Sequence, residues 1–535
     1  MNSPRRLYLA DTTLRDGAQT IGCQFTPDAK IQVAKQLIDL GIDVIELGTP
    51  IASPQELETS KLVCETFHDA DVTLSAFARA KEIDIEHAYE AVGGFHKGML
   101  ALLTSVSDIH IDSKFKKSRS EMLEAFSKQI RYATEVGFKD IMVYLEDGTR
   151  ADFDYVKDLV ISFKEAGAHT ISIPDTVGFV NDPLPYGKLF SRLKEELDLG
   201  DLKLSAHTHN DKGLAVANAL SAIQHGADQV EGTINGLGER AGNASLGAIL
   251  LNLYGDDTGK WCSSDYGVTT RAKIETYART AKIVGELGGL GINYNEPLMG
   301  DAVCTTAAGI HQDGVLKNKK TYFCYAPESF GINMENRLLT FNMLSGIKGI
   351  VSVLDDMGLK LDRPTQEKIY EQVILLAQQK APSIEDIRAI ALDVVLDKDP
   401  IVKLKVCKTS SGVSPSTAEV VMERMDTGEN LRGIGYGDGP FAAFMDIACD
   451  LLDLDARVKN YHDTVVGQGR DSQMQAYVEL VIDGKNFLGR GVSTDIVIAG
   501  CRAFMKCANE YFRQNSDSSS RGLAQEQIEV LEATP

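Results

Sequence analysis

Eight short runs rich in apolar and β-branched residues recur along the first 255 positions, each followed by a longer amphipathic stretch. The runs fall at Leu7–Leu9, Asp43–Gly48, Val72–Phe77, Met99–Thr104, Asp140–Glu146, Thr170–Pro174, Lys203–Ala206 and Gln229–Thr233. Between them lie stretches such as PDAKIQVAKQLIDLG, EMLEAFSKQIRYATEVG, DYVKDLVISFKEAGA and GLAVANALSAIQHGA. Their apolar residues are spaced for one helix face, and most finish at a glycine suited to a helix C-cap. Strand followed by helix, eight times over, predicts a closed parallel (β/α)₈ barrel. The alternative is a doubly wound open sheet. The count and the absence of a GxGxxG turn after the first run favour the barrel.

The ends of these runs carry chemically competent residues: Asp11–Asp16, Glu46, Arg79, Glu146–Asp147, Asp175–Thr176, His207–His209, and Asn235 with Asn243. Strand C-termini of such a barrel converge on one face, where active sites form. Any one of these residues is compatible with a helix cap or a surface charge. Polar groups at most of the eight mouths mark an active-site rim instead.

Residues 1–260 are therefore the expected barrel. Residues 261–395 carry helical periodicity without strand alternation (AKIETYARTAKIVGELGGL, RPTQEKIYEQVILLAQ), which predicts a helical linker or subdomains. In 396–512 strand patterns return (IVKLKVCK, STAEVVMER, AYVELVIDG). Two units there each end in a Gly-rich turn opening an apolar helix, GYGDGPFAAFMDIACDLL and GRGVSTDIVIAGCRAFMKC, which suggests a small α+β domain with internal repetition. Residues 513–535 are polar and expected to be a flexible tail.

Composition narrows the function class. A net charge of −21 argues against nucleic acid or an anionic membrane as partner. No stretch approaches the roughly 18 apolar residues of a membrane span, and the first residues lack a signal-peptide core. Nine scattered cysteines without a CxxC pair fit reduced thiols in a cytoplasmic protein.

His207-Thr208-His209 sets two imidazoles on one face of a strand end, aimed into the barrel mouth. With a carboxylate nearby, such a pair suits a divalent metal. Arg15 and Asp16 lie just past the first run. A carboxylate there could join the ligands, and the guanidinium could meet a developing oxyanion.

DTTLRDGAQ, YLED, IPDTVG, HTHND with GLAVAN, NGLGERAGN and GIHQDG occur in an order that resembles the acyl-CoA condensing enzymes of the 2-isopropylmalate synthase family. Homocitrate and citramalate synthases belong to the same group. The resemblance spans nearly the whole chain, and GDGPFAAF and GRGVSTDIVIA resemble the family's C-terminal regulatory domain. It implies a metal-dependent Claisen condensation of acetyl-CoA with a 2-oxo acid. It also implies release of CoA, service in leucine or isoleucine biosynthesis, an amino-acid effector and a homodimer. By position, Asp16, His207, His209 and Asn243 match the metal ligands, with Mn²⁺, Zn²⁺ and Mg²⁺ all acceptable. Arg15 matches the arginine at the oxo acid's carbonyl and Thr176 the threonine at its carboxylate. Glu146, His311 and Tyr322 match the acid–base machinery near the acetyl methyl. Two departures stand out: Ala18 replaces the usual acid after RDG, and FNMLSGIKGI lacks the arginine that many relatives carry.

The resemblance also bears on the oxo acid. Leu100 and Tyr144 align with positions that frame the substrate side chain and look like citramalate synthase, whose bulky residues shrink the pocket around pyruvate. Ser75, a leucine in those enzymes, reopens space. GIHQDGVLKN is closer to isopropylmalate synthases. Expected acceptors are thus 3-methyl-2-oxobutanoate or pyruvate, with a larger 2-oxo acid as a further option. A retro-Claisen lyase or metal-dependent aldolase is disfavoured by the C-terminal domain, and a non-catalytic relative by the intact Arg15, Asp16, His207 and His209.

Overall fold

The computed structural model describes residues 4–254, 266–334, 341, 345–356, 359–378, 381–382, 384–396, 400–411, 415–466, 473–493 and 495–515. Eight parallel strands close a barrel: β1 (Tyr8–Asp11), β2 (Val44–Glu46), β3 (Thr73–Arg79), β4 (Gly98–Ser105), β5 (Ile141–Glu146), β6 (Thr170–Asp175), β7 (Lys203–Thr208) and β8 (Gln229–Gly232). Neighbours pair in sequence order, and β8 returns to β1 with Glu231 level with Ala10. Each apolar run of the sequence is one of these strands, so the closed barrel holds and the open sheet does not.

Helices α1 (Pro27–Leu40), α2 (Pro54–Thr66), α3 (Glu82–Val92), α4 (Arg119–Val136), α5 (Phe153–Ala166), α6 (Pro183–Glu196), α7 (Ala215–Gln224) and α8 (Leu246–Tyr254) follow the strands in turn. Local chemistry sets their ends. The Thr26 side chain accepts from the Ala29 N–H, Pro27 occupies the first turn of α1, and Gly41 stops it at φ 86°. A reciprocal capping box of Ser118 and Glu121 starts α4.

Strand periodicity sorts the core into two layers. Leu9, Ile45, Leu74, Ala76, Leu100, Leu102, Ile141, Val143, Ile171 and Leu204 join the large cluster packed with the helices. Residues of opposite parity, Ala10, Val44, Met99, Ala101, Met142 and Tyr144, form a small cluster inside the barrel, with Phe77 and Leu103 against it. The interior is therefore apolar in part only. Ser75, Ser172, Ser205, Gln229 and Glu231 have the same inward parity and are buried.

By contacts the chain forms two compact units, 1–304 with 323–337 and 305–322 with 338–535. The first contains the barrel and α9 (Tyr277–Gly288). The second contains α10 (Gly309–Lys317), α11 (Ile347–Asp356), α12 (Arg363–Ala377) and α13 (Ile384–Leu396). Two β-β-β-α modules follow: β9 (Val402–Ser410), β10 (Ser416–Arg424), β11 (Asn430–Gly437) and α14 (Pro440–Leu452), then β12 (Ala456–Val466), β13 (Gln473–Ile482), β14 (Lys485–Ser493) and α15 (Ile496–Asn515). Each module is an antiparallel three-stranded sheet in sequential order, which makes the repetition real. Of the tail, residues 516–535 lie outside the described residues, as do Thr494 in the second Gly-rich turn and residues 342–344 of FNMLSGIKGI.

Three of the six strands in these modules, β11, β12 and β14, escape an apolar-run search, and glycines interrupt two of them, β11 and β14. Gly433 and Gly435 on β11 face α14, and Gly489 and Gly491 on β14 face α15. A Cβ at Gly435 would collide with the Ala443 carbonyl and Ile447, and one at Gly491 with the Ala499 carbonyl. The strands are bare where the helices press closest. The two Gly-rich turns start their helices differently. Gly439 offers α14 no side-chain cap, but the Asp495 carboxylate accepts from Val497 and Ile498 N–H at 2.8 and 3.2 Å and caps α15. Among the described residues, no helix is long and apolar enough to cross a membrane.

Gly435→Ala should force α14 off its sheet and cost about 1–3 kcal/mol, the usual range for overpacking. Calorimetry should then find the second unit melting several degrees lower. An unchanged profile would mean that α14 has room to move.

Candidate active site

The loop after β1 carries the charge on which the barrel mouth is organised. Arg15 donates from Nε to Glu46 Oε2 at 2.6 Å and from Nη1 to Asp16 Oδ2 at 2.8 Å. Its guanidinium lies 4.8 Å from the Phe77 ring centroid and 5.7 Å from that of Tyr144. Two carboxylates and two aromatic faces thus hold a buried cation in one orientation. Burial opposes the charge, but Glu46 and Asp16 keep Arg15 protonated well beyond its ordinary range.

Asp16 is the hinge to the far side of the barrel. Its Oδ1 accepts from Asn243 Nδ2 at 2.9 Å and from the Glu239 N–H at 3.2 Å. Its Oδ2 lies 3.8 Å from Nε2 of both His207 and His209. Those two nitrogens face each other at 3.2 Å. A strand-like bridge between His209 and Asn243 brings the asparagine alongside. Burial alone would raise the Asp16 carboxyl, yet Arg15, the histidines and the Asn243 amide hold it far below the usual range. Burial and the neighbouring His207 push His209 down to about 3, so it is neutral, the form that ligates metal.

Asp16, His207 and His209 present three donor atoms within 4.8 Å of one another. Asn243 Oδ1 and His209 Nδ1 are buried without a hydrogen-bond partner. Converging imidazole nitrogens, a carboxylate held ionised and an orphaned amide oxygen fit a divalent cation with mixed N/O ligands.

Around this core, β5 ends in Glu146. Its Oε2 accepts from the Ser105 hydroxyl, and Lys114 Nζ lies 3.0 Å from both carboxylate oxygens. His110 Nδ1 is 3.3 Å from Oε2. The next residue, Asp147, has φ 64°, and its N–H donates to Thr176 Oγ1 at 2.8 Å. Tyr144, nearly fully buried, donates to Glu46 Oε1 at 3.3 Å and stands edge-on to His207. The Ser75 hydroxyl is buried with no partner.

Comparison with known proteins gives the family. Residues 6–284 match the model of the HMGL-like family, 298–381 a homocitrate synthase post-HMGL domain-like model, and 383–512 the LeuA allosteric (dimerisation) domain. The 2-isopropylmalate synthase of Oceanobacillus iheyensis is 34% identical over 523 residues, covering 96% of this chain and 99% of the relative. That of Pyrococcus furiosus is 35% identical over 512 residues, covering 95% and 100%. The chain belongs to the 2-isopropylmalate synthase family.

Of the residues matched to that family by sequence, the barrel brings together Arg15, Asp16, His207, His209, Asn243, Ser75 and Tyr144 at one mouth or just beneath it, with Thr176 and Glu146 on the rim. His311 and Tyr322 belong to the second unit, where their rings stack at 4.1 Å between centroids. Leu100 departs from its expectation as a pocket residue. Its side chain lies among the residues packed with the helices. Met99, one position earlier and level with Ser75 on β3, faces the interior instead. A slip of one residue reverses the face of a strand.

Two residues essential to the geometry had no assigned role from sequence. Glu46 was visible only as one polar run-end, and Glu231 only as an acid inside an apolar run. Their inward parity was the available signal.

The same loop supplies a pH test. Asp11, buried beneath the mouth, is raised to about 7 mainly by burial, with Glu46 adding to the rise and hydrogen bonds from Thr13 opposing it. A carboxyl whose folded value exceeds its unfolded one binds protons more tightly when folded. Its contribution is complete below about pH 4 and is lost as pH rises through about 7. Asp11→Asn should remove up to one proton's slope, about 1.4 kcal/mol per pH unit, from the stability profile in that window. Parallel urea profiles for variant and wild type between pH 4 and 7 would exclude this.

Proposed function

We propose that this chain is an acyltransferase of the 2-isopropylmalate synthase type, joining the methyl carbon of acetyl-CoA to the carbonyl carbon of a 2-oxo acid and releasing CoA. The observation that carries the reading is the constellation of Arg15, Asp16, His207, His209 and Asn243 in one barrel mouth, within a chain related end to end to named 2-isopropylmalate synthases. Asp16, His207, His209 and Asn243 would hold the divalent ion, with Mn²⁺, Zn²⁺ or Mg²⁺ compatible with their donors. When bound, such an ion supplies Lewis-acid polarisation of the acceptor carbonyl.

The chain's own residues do the rest. Arg15, fixed by Glu46 and Asp16, directs its guanidinium to the oxygen that gains charge as the new C–C bond forms. Thr176 binds the acceptor's carboxylate. Glu146, the matched acid–base residue on the barrel, moves the protons: one leaves the acetyl methyl and one reaches the new alkoxide. Water then cleaves the thioester, yielding CoA thiol and a second carboxylate, which drives the condensation forward.

The acceptor's side chain would meet the interior wall of Tyr144, Met99 and Phe77, beside the unpartnered Ser75 hydroxyl. The named relatives favour 3-methyl-2-oxobutanoate over pyruvate as acceptor. Tyr144→Ser frees volume there and should raise preference for longer 2-oxo acids about tenfold, the scale of one or two methylenes. An unchanged ratio of kcat/KM for 3-methyl-2-oxobutanoate and pyruvate would put the specificity pocket elsewhere.

The C-terminal modules resemble an allosteric dimerisation domain, which supports a homodimer inhibited by a pathway amino acid. Leucine is expected with a branched acceptor. The uncapped N-terminus of α14 at Gly439 suits the effector's carboxylate. A cytoplasmic setting is part of the same proposal.

The deciding measurement is thiol release from acetyl-CoA across a panel of 2-oxo acids. Wild type with metal should release CoA with 3-methyl-2-oxobutanoate, and His207→Ala should lose bound metal and at least about 100-fold in rate. Retained metal and activity in that variant would remove the proposed centre, and no release with any oxo acid would remove the reaction.

A further inference from the structure

Glu231 sits at the middle of β8 with its side chain inside the barrel and only 1% of its surface exposed. Isolated carboxylates are expensive to bury, so the groups around one indicate what it is for. Here they are arranged asymmetrically. Ser172 on β6 and Ser205 on β7 both donate to Oε1, at 2.6 and 2.7 Å. Gln229 Nε2 donates to the Ser205 hydroxyl at 3.1 Å, which orients that hydroxyl toward the carboxylate. Oε2 meets His207 Nδ1, 3.1 Å away. Three strands thus fix one oxygen so that the other meets the imidazole.

We infer that Glu231 is a positioning residue for the metal centre, holding His207 with its proton on Nδ1 and its Nε2 lone pair directed at Asp16 and His209. The inference rests on the proposed metal centre and adds a residue to it that binds neither metal nor substrate. Neutral imidazole carries one proton, and its location decides which nitrogen can ligate. A carboxylate acceptor at Nδ1 settles that choice, turns the ring into place and increases the basicity of Nε2. Without it, His207 could rotate or change tautomer, and the 3.2 Å approach of Nε2 to His209 Nε2 would have nothing to enforce it. The serines would serve a purely structural carboxylate equally well. What distinguishes positioning is that it acts through His207 on metal affinity in an already folded protein.

Glu231→Gln tests this directly. Mn²⁺ affinity would be measured by counting free Mn²⁺ by electron paramagnetic resonance. Thermal midpoints would be taken without metal, with His207→Ala alongside. The expected result is a Mn²⁺ dissociation constant raised about 10–100-fold, a metal-free midpoint within a few degrees of wild type, and recovery of much of the rate at saturating Mn²⁺. If Glu231→Gln binds Mn²⁺ within twofold of wild type while His207→Ala does not bind it, the positioning role is wrong and the metal centre stands. If His207→Ala binds Mn²⁺ normally, the centre itself fails and this role with it. Should Glu231→Gln not fold, the tautomer can be read in wild type. Metal-free protein labelled with ¹⁵N-histidine should give His207 as the Nδ1–H form, and an Nε2–H form would overturn the inference.

Discussion

A guanidinium held between two carboxylates governs the upper half of this barrel. Arg15, with only 10% of its side chain exposed, cannot leave Glu46 and Asp16 without stranding largely buried charges, and breaking a buried pair typically costs about 3–5 kcal/mol. That penalty ties the loop after β1 to β2 and removes the freedom of Asp16 to point anywhere but across the mouth. The histidines of β7 and the amide of Asn243 then find a carboxylate already oriented and already ionised. Phe77 and Tyr144 contribute from the side, since a cation lying against aromatic faces resists rotation as well as displacement.

What lies beneath is a polar interior that an ordinary core would not tolerate. Glu231, two serines and Gln229 occupy positions where a barrel of this kind usually carries branched aliphatics. The apolar residues that remain inside, Ala10, Val44, Met99, Ala101, Met142 and Tyr144, come from β1, β2, β4 and β5. The interior is thus divided into a hydrogen-bonded half under the histidines and an apolar half under Arg15. Tyr144 spans the boundary, with its hydroxyl on Glu46 and its ring edge against His207.

Most of the fold was legible because barrel strands and helices differ so sharply in period that eight repeats of the contrast leave little choice. The site was legible where its chemistry coincided with strand ends, as for Arg15, Asp16, His207 and His209. It was obscured where the informative property was which face of a strand a residue occupies. Met99 and Leu100 are both apolar and adjacent, and only pairing against β3 says that Met99 looks inward. Glu231 was hidden for the opposite reason, as one acid in a run whose neighbours signalled a strand. Of the C-terminal strands, β11 and β14 give no apolar run because Gly433, Gly435, Gly489 and Gly491 dilute the pattern at the contacts that bind sheet to helix.

The pairing of β8 with β1 has a consequence for how the molecule is made. Asp16 and Asn243 are hydrogen-bonded across 227 positions of sequence, and His207 and Glu231 also come from the last quarter of the barrel. During synthesis the first six strands can collapse and gather helices, but they carry only Asp16 of the four matched metal ligands. The centre comes into being when the ribosome has released the final strand and the ring shuts. A cation gripping both ends of the ring, as proposed, would add its binding free energy to that closure. The nascent barrel would then finish as a latch finishes a hoop, with the ion rewarding only the fully joined form.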